Sequence, residues 1–461
     1  MKHIFSFISM LVFSFISYSQ TIISGNVSGV WTLSGSPYIV VEDITLNEDL
    51  TIEPGVRVQF QAGGWSFAIN GGKLIARGTI TDSIYFEPIQ GETAGLWQGI
   101  VADNNSGSDT LEYCVIRYAV RGMEVKASAN NPRPPVVMKR SEIYGSFDIG
   151  ALSHVYTGAA TAAVAQLFMY DCKIHHNSSH GVWLNDTVVG SGNAVAELVR
   201  CQIYNNGGAG LYQRNNTHAY IYNCTITGNA SDGLNSSSDT KVTNSIVAYN
   251  GGYGINDENN HPAFEPEDII YNNVWGNQVG RYNNFSAPNF GYPATINANG
   301  DSCDFNFNIY LDPVFVDSAY NDFNLDRLSP AIDAGTTIVG GEIIFDPDST
   351  VPDMGALFYN QNPTEIFFYT NTVLRNFILS QNYTNPFNPA TRIKYSIGSE
   401  QGVLLKIYDL LGKEIATLVN EEKLPGAYTV EFNASKLTSG IYLYQLQAGG
   451  FSQTKKMILM R

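Results

Sequence analysis

At 461 residues the chain is long enough for two or three domains, and its 15% of charged residues falls well below the ~25% of an ordinary soluble domain. With 43 glycines, abundant asparagine and few charges, it lacks the Glu-, Lys- and Arg-rich surfaces of helical bundles and suits turn-dense β structure. The formal charge of −16 is uneven: residues 1–376 carry 17 Lys and Arg against 36 Asp and Glu, and residues 377–461 carry 9 against 6. So acidic a body excludes nucleic acid and anionic lipid as partners, because both are bound through clustered cations.

Lys2 and His3 precede an apolar stretch from Ile4 to Ile16, and Ser17, Tyr18 and Ser19 lie just before Gln20. This is the pattern of a secretory signal peptide over residues 1–19. The stretch is shorter than the ~20 apolar residues of a membrane span and is broken by serines, and no later stretch qualifies, so no membrane span is expected. Residues 24–101 then hold short β runs at 38–41, 50–52, 56–60, 66–69, 73–76 and 83–86. Glu53-Pro-Gly55, Gly63-Gly64 and Gly71-Gly72 punctuate them.

From about 111 to 282 the sequence repeats. The clearest copies are Cys172-Lys-Ile174 with Asn177 and Gly181, Cys201-Gln-Ile203 with Asn206 and Gly210, and Cys224-Thr-Ile226 with Asn229 and Gly233. Ser245-Ile-Val247 with Asn250 and Gly254 continues the series, and Cys114, Ser141 and Asn272 mark weaker copies. The markers lie 21 to 31 residues apart. That period, in short β segments separated by Asn and Gly, predicts a solenoid whose coils stack strand on strand ~4.8 Å apart. Equivalent residues should then pile up: Ile174, Ile203, Ile226 and Val247 as an aliphatic stack, and Asn177, Asn206, Asn229 and Asn250 as an amide ladder. Each repeat Gly is expected to provide a sharp or left-handed turn before Val182, Leu211, Leu234 or Ile255. Four of the five cysteines share one repeat position, where they are expected to act as small apolar core residues, with a bridge along the stack left open. No CxxC pair supports a zinc site. These copies resemble the right-handed parallel β-helix repeats of the pectin-lyase-like superfamily, a scaffold shared by lyases, hydrolases, adhesins and inert passengers.

Downstream, Leu311-Asp-Pro-Val-Phe-Val316, Leu328 to Gly335 and Pro352-Asp-Met-Gly355 look like the closing segment that covers the last coil of secreted β-helices. Residues 360–376 form an Asn- and Thr-rich connector. Beyond it the period changes to alternating strands at 392–397, 403–408, 413–418, 428–432, 441–446 and 454–459, the density of a small antiparallel β-sandwich. The wording of this module includes Asn385-Pro386-Phe387-Asn388-Pro389, Gly426-Ala-Tyr428, Ser439-Gly440-Ile-Tyr442 and Thr454-Lys455-Lys456. It resembles the C-terminal sorting domain of the type IX secretion system, with Thr384 where that family usually has Pro. The resemblance implies passage through an outer-membrane machine, removal of the domain, and release or surface attachment.

Enzymes of the pectin-lyase-like fold work with clustered carboxylates, often with calcium, or with a basic side chain on an outer face. Two outward rows follow from strand alternation. One reads Leu152, Trp183, Tyr212, Asn235, Asn256, the other His154, Asn185, Arg214, Ser237, Glu258, and neither stacks carboxylates. His180 and Asp232 simply precede the repeat Gly. His175 and His176 lack a third ligand, and Lys241 or Arg200 as a base would lack an acidic calcium cluster. Asp346, Asp348 and Asp353 offer oxygen ligands suited to calcium without the ligand and glycine pattern of a known site, so a closing turn is expected and no cofactor is assigned. The constellation retained is Trp183, Asn185, Tyr212 and Arg214, whose aromatic faces and polar donors suit a sugar ring and its hydroxyls or carboxylates.

The sequence therefore predicts an all-β chain. Residues 1–19 are the signal peptide, 20–359 a right-handed parallel β-helix with closing segment, 360–376 a linker, and 377–461 a sorting β-sandwich. The expected function is a secreted, cell-surface or extracellular protein that contacts polysaccharide without catalysis. The alternatives are a polysaccharide lyase or hydrolase, and a structural stalk or adhesin. The type IX machinery is the expected partner of Asn385, Pro386, Phe387, Asn388, Pro389, Gly426, Tyr428, Gly440, Lys455 and Lys456. Intact-mass analysis of exported protein should find a form that begins at Gln20 and ends before about Phe377. Retention of residues 377–461 would count against the sorting assignment.

Overall fold

The computed structural model describes residues 20–361, except 104–106, 128–133, 156–162, 187–191, 216, 262–263, 286 and 288–289. It also describes 378–460, except 380–381, 383–384, 398–400, 410–411, 424–425 and 450. The expected signal peptide, most of the 360–376 connector and Phe377 lie outside the described residues.

From Thr21 to Asn283, 28 strands stack in parallel; the first two coils are each one long strand, Thr21–Trp31 and Tyr38–Ile52, and each full coil after them contributes one strand to each of three sheets. In one coil these are Gln202–Tyr204 in the first sheet, Leu211–Arg214 in the second and Thr217–Tyr222 in the third. Through the central coils the register runs without slippage: Ile143, Ile174, Ile203, Ile226, Val247 and Val274 pair in sequence in the first sheet. Ala151, Val182, Leu211, Leu234 and Ile255 do so in the second. All of these side chains are fully buried, each large aliphatic one contributing about 1.5–3 kcal/mol relative to exposure.

A three-residue strand must turn sharply at both ends, and the turns are made by single left-handed residues that are mostly not glycine. On one side of the first sheet these are Tyr113, Arg140, Asp171, Arg200, Asn223, Asn244 and Tyr271, with φ between +48° and +55°. On the other they include Tyr118, His176, Asn205 and Tyr249. The residue that follows is the repeat marker throughout the first series and after His176, Asn205 and Tyr249 in the second, whereas Ala119 follows Tyr118. The backbone N–H of Asn177 donates to Oδ1 of Asn206 at 3.2 Å, and that of Asn206 to Asn229 at 3.2 Å. The amide Nδ2 of Asn177 donates to the same Asn206 Oδ1 at 2.9 Å, and Asn206, Asn229 and Asn250 repeat the link through to Asn277. Each rung from Asn206 onward also donates Nδ2 to a strand carbonyl of an earlier coil, Asn206 to Ile174 and Asn229 to Ile203. The amide ladder expected from the sequence is therefore present and internally satisfied.

The cysteines lie in the apolar core as expected, Cys114, Cys172, Cys201 and Cys224 all buried within it, and their position also forms a second ladder. The N–H of Cys114 donates to Ser141 Oγ, that of Cys201 to Cys224 Sγ, that of Cys224 to Ser245 Oγ, that of Ser245 to Asn272 Oδ1, and that of Asn272 to Asn308 Oδ1. The side chain at this position is thus an acceptor, and Ser and Asn replace Cys because each can accept. All five cysteines are buried free thiols, and burial pushes those of Cys114, Cys172 and Cys224 upward.

The repeat glycines are also corrected. Gly150, Gly181, Gly210, Gly233 and Gly254 do not have positive φ. A Cβ on Gly181 would lie 2.7 Å from the γ-methyl of Ile203, 2.7 Å from the Gly210 carbonyl and 2.8 Å from Asn206 Nδ2. The position is glycine because the next coil's rung and core side chain occupy the space of a side chain. Left-handed glycine does appear at the N-terminal end, where Gly25 and Gly29 let Thr21–Trp31 wrap all three sheets as one bent strand. This strand lies ahead of the first β run expected, at 38–41.

The closing segment does more than cover the last coil. Asn308 ends the second ladder, its own N–H donating to Asp304, and Ile309 adds a bridge beyond Asn273. The chain then folds back along the outer face of the first sheet. Ala356 N–H donates to Thr225 Oγ1, Gly355 N–H to the Asn244 carbonyl, and Asn223 Nδ2 to the Asp353 carbonyl. Ile246, Ala248, Leu325, Ala331, Ala334 and Met354 form a small buried cluster beneath it. Asp346, Asp348 and Asp353 serve as turn acceptors there. Asp346 takes Asp353 N–H at 2.7 Å, Asp353 takes Asp333 N–H at 2.7 Å and Tyr359 N–H at 2.6 Å, and Asp348 takes Thr350 Oγ1 at 2.7 Å. Burial, reinforced by the neighbouring carboxylates, lifts Asp346 and Asp353 well above the usual carboxylate range towards neutrality.

The C-terminal module is a sandwich of a three-stranded and a four-stranded antiparallel sheet around one core. Phe387 is buried in that core. It pairs with the last strand, its N–H donating to the Ile458 carbonyl, while Asn385 Oδ1 takes Ile458 N–H at 2.8 Å. Among the described residues no helix is long and apolar enough to cross a membrane.

Asn206→Leu should lower the denaturation midpoint. It leaves Nδ2 and N–H of Asn177 without an acceptor, at about 1–3 kcal/mol for each buried group orphaned; an unchanged midpoint would remove Asn206 from the ladder. A second expectation concerns pH. Asp346 and Asp353 bind protons more tightly folded than unfolded, so their contribution is complete below about pH 4 and is lost as pH rises to neutrality. Asp346→Asn should flatten that decline in a series of melts from pH 4 to pH 8, and a variant with the wild-type slope would contradict it.

Candidate functional site

The outer face of the second sheet carries the retained constellation. Leu152, Trp183, Tyr212, Asn235, Asn256 and Asn283 occupy consecutive coils in register, and His154, Asn185 and Arg214 form the parallel row two residues on. Both rows lie as strand alternation places them, one side chain per ~4.8 Å of stack. Trp183 and Tyr212 are half-buried, with ring centroids 6.0 Å apart and planes tilted by 48°. Arg214 is exposed, with its guanidinium carbon 5.0 Å from the Tyr212 centroid and a nitrogen 3.8 Å from Glu258.

His180, the residue before a repeat Gly, also shapes this face. Its Nδ1 accepts the N–H of Ala209 at 3.0 Å, so the ring is held, and it stacks on Tyr212 at 4.5 Å and 11°. Burial lowers the His180 pKa, which suits a neutral acceptor ring. One face of Tyr212 is therefore taken within the chain, and Trp183 is the freer ring. The indole N–H of Trp183 has no hydrogen-bond partner among the described residues. Asp232 also has a structural role, taking the N–H of Tyr253 and the amides of Asn235 and Asn256.

One end of the face was not foreseen. Gly122 is the same repeat marker one coil earlier, and the residues two and four after it are Glu124 and Lys126, paired with Leu152 and His154. Extending the row by one coil would have found them. Glu124 is buried and lies 2.9 Å from His154 Nε2, 3.2 Å from Lys126 Nζ and 3.5 Å from Arg121, which also reaches Asp148 at 3.2 Å. Burial alone would raise the Glu124 pKa, but the His154 hydrogen bond and the charges of Lys126, His154 and Arg121 outweigh it and hold it down at about 2.

The remaining candidates are occupied in structural contacts. His175 contacts His176 at 2.8 Å and Glu142 at 2.8 Å, and it is stacked between Tyr144 and Tyr204 on the first sheet. Arg200 is paired with Asp171 at 2.7 Å and Lys241 with Asp268 at 3.5 Å. Among the described residues no group of three or more His, Cys, Asp or Glu side chains has metal-holding geometry. In the sandwich, Pro389 accepts the N–H of Ala434, Tyr428 stacks on Tyr395 at 5.5 Å, and Asn388 is exposed. Gly426 and Gly440 open strands, and Lys455 and Lys456 lie in the last strand opposite Tyr444 and Leu443.

Comparison with known families agrees with this architecture. The family described as right handed beta helix region matches residues 159–292, and the one described as secretion system C-terminal sorting domain matches 381–460. Among solved structures, a periplasmic alginate epimerase is similar at 13% identity and a TM-score of 0.33, over 56% of this chain and 70% of that one. Comparison with curated protein sequences finds no match. The chain is thus a right-handed parallel β-helix with a type IX sorting domain, which marks it as a secreted or cell-surface protein handled by that machinery.

Proposed function

We propose that this exported β-helix binds polysaccharide along the outer face of its second sheet and does not cleave it. The observation that carries the reading is the in-register pair Trp183 and Tyr212 beside Asn185 and Arg214. An apolar row runs next to a row of donors, and both follow the stack axis as a glycan chain would. The half-buried amide of Asn185 and the exposed guanidinium of Arg214 are suited to hydroxyls and carboxylates. Export fits the same picture: residues 1–19 are proposed to be cut before Gln20, the body to span 20–359, and the sandwich 377–461 to be removed at the surface.

The alternative, a lyase or hydrolase, is favoured by Glu124 and His154 on the same face. A general base works best with its pKa near the operating pH. Glu124, held at about 2 by three cationic or hydrogen-bonding neighbours, stays ionised and paired, which suits positioning more than proton transfer.

Trp183→Ala combined with Tyr212→Ala should abolish retention on a glycan column, with the denaturation midpoint little changed because both rings face outward. Each lost aromatic face should cost about 1 kcal/mol. Added salt should weaken binding of an acidic glycan through Arg214 and leave a neutral one nearly unaffected. The wild-type protein should release neither unsaturated products nor reducing ends, with or without calcium. Release above a heat-inactivated control would establish the enzyme reading instead, and absence of both retention and products on a broad glycan panel would favour a stalk.

A further inference from the structure

The two ends of the solenoid are built differently. At the C-terminal end the second ladder is finished by Asn308 and Asp304, and Phe285, Phe290 and Tyr310 pack on the last coil. At the N-terminal end the first coil, Thr21–Trp31, pairs with the second coil through nine register positions and, among the described residues, with nothing on its other edge. Ile22, Val30 and Leu33 are exposed there by 71%, 58% and 50%, and Val27 and Trp31 form the last core layer. Soluble proteins protect such an edge with charges, proline or a covering segment. This edge has no protective charge, because no Lys, Arg, Asp, Glu or His occurs from Gln20 to Val41.

We propose that the open edge of Thr21–Trp31 pairs antiparallel with the same edge of a second copy, joining two β-helices head to head about a two-fold axis. An uncharged edge is self-complementary, since no like charges meet when it is turned on itself, and a two-fold contact buries the same surface on both partners. Association stops at two because the opposite end is closed. The charges of the next coil set the salt dependence. Glu42, Asp43, Glu48 and Asp49 are exposed around its corners. Across the junction the two acidic collars stand three strand spacings apart, about 14 Å. That exceeds the Debye length of about 8 Å at physiological salt but not the ~30 Å at 0.01 M, so the dimer weakens as salt is withdrawn.

Analytical ultracentrifugation of the chain from Gln20 to Arg461 should show a reversible shift from one to two copies at concentrations up to ~100 μM, with no larger species and a smaller shift at low salt. The triple variant Ser24→Lys, Asn26→Lys, Ser28→Lys should remain a single copy, as should Ser24→Glu, Asn26→Glu, Ser28→Glu. An equal mixture of the two should recover the double mass, which a misfolded edge would not do. The proposal is overturned by a wild-type protein of single mass throughout, by a lysine variant that associates like wild type, by a mixture that fails to associate, or by growth beyond two copies.

Discussion

The structure depends on one hydrogen bond repeated along its length: the backbone N–H just past each left-handed corner, captured by a side chain of the next coil. A left-handed non-glycine residue costs of the order of 1–3 kcal/mol, and a buried N–H without a partner costs about as much again. The turn that closes a three-residue strand would carry both costs. Oδ1 of Asn206, Asn229, Asn250 and Asn277 on one side of the first sheet removes the second of them. Ser141, Cys224, Ser245, Asn272 and Asn308 do so on the other. From the coil of Glu142–Tyr144 onward the corners persist because two ladders flank the turns of the first sheet, and the short strands keep their register because a slip would break both.

That fixed register makes the outer faces usable. Side chains two residues apart become parallel rows, and a property repeated in sequence becomes a property extended in space. The faces nevertheless have different fates. The first sheet is occupied on its outside, by the Tyr144, His175 and Tyr204 stack and then by the folded-back closing segment. The second sheet keeps Trp183, Tyr212 and Arg214 at the surface, with ion-paired Glu124 at one end and Glu258 beside Arg214 at the other. On a chain with a formal charge of −16, this face concentrates Arg121, Lys126 and Arg214. Each of these cations stands beside a carboxylate, Arg121 and Lys126 beside Glu124, Arg121 beside Asp148 and Arg214 beside Glu258, so the face is balanced in charge within an acidic chain.

The cysteines show how a single position can be read in two ways. In composition they look like small apolar residues, and their complete burial agrees. Their neighbours in the ladder add a second role, because Ser141, Ser245 and Asn272 occupy the same place and accept the same N–H. Sulfur is the weakest acceptor of the three, and Cys201 N–H meets Cys224 Sγ at 3.4 Å, against 2.8 Å for Ser245 N–H to Asn272 Oδ1. In the sandwich, the motif around Phe387 similarly has a local structural reason: it clasps the last strand through Ile458 and fills the core.

The sequence by itself determined the solenoid, its inward stacks, the asparagine ladder, the sandwich and the outward rows holding Trp183 and Tyr212. All of these follow from a period, and in-register stacking turns equal spacing in the chain into adjacency in space. The sequence did not disclose why Gly181 and Gly210 are glycine, since the atoms that exclude a Cβ belong to the next coil. Nor did it disclose that Tyr, Arg, Asp and His residues would make the left-handed corners, since local propensity favours glycine there and only the ladder bonds offset it. The stacking of His180 on Tyr212, the ion pairs that hold Glu124, and the return of Ala356 to Thr225 across 131 residues were likewise decided by tertiary packing. Contacts between coils, or between distant segments, carry no period for a sequence to display.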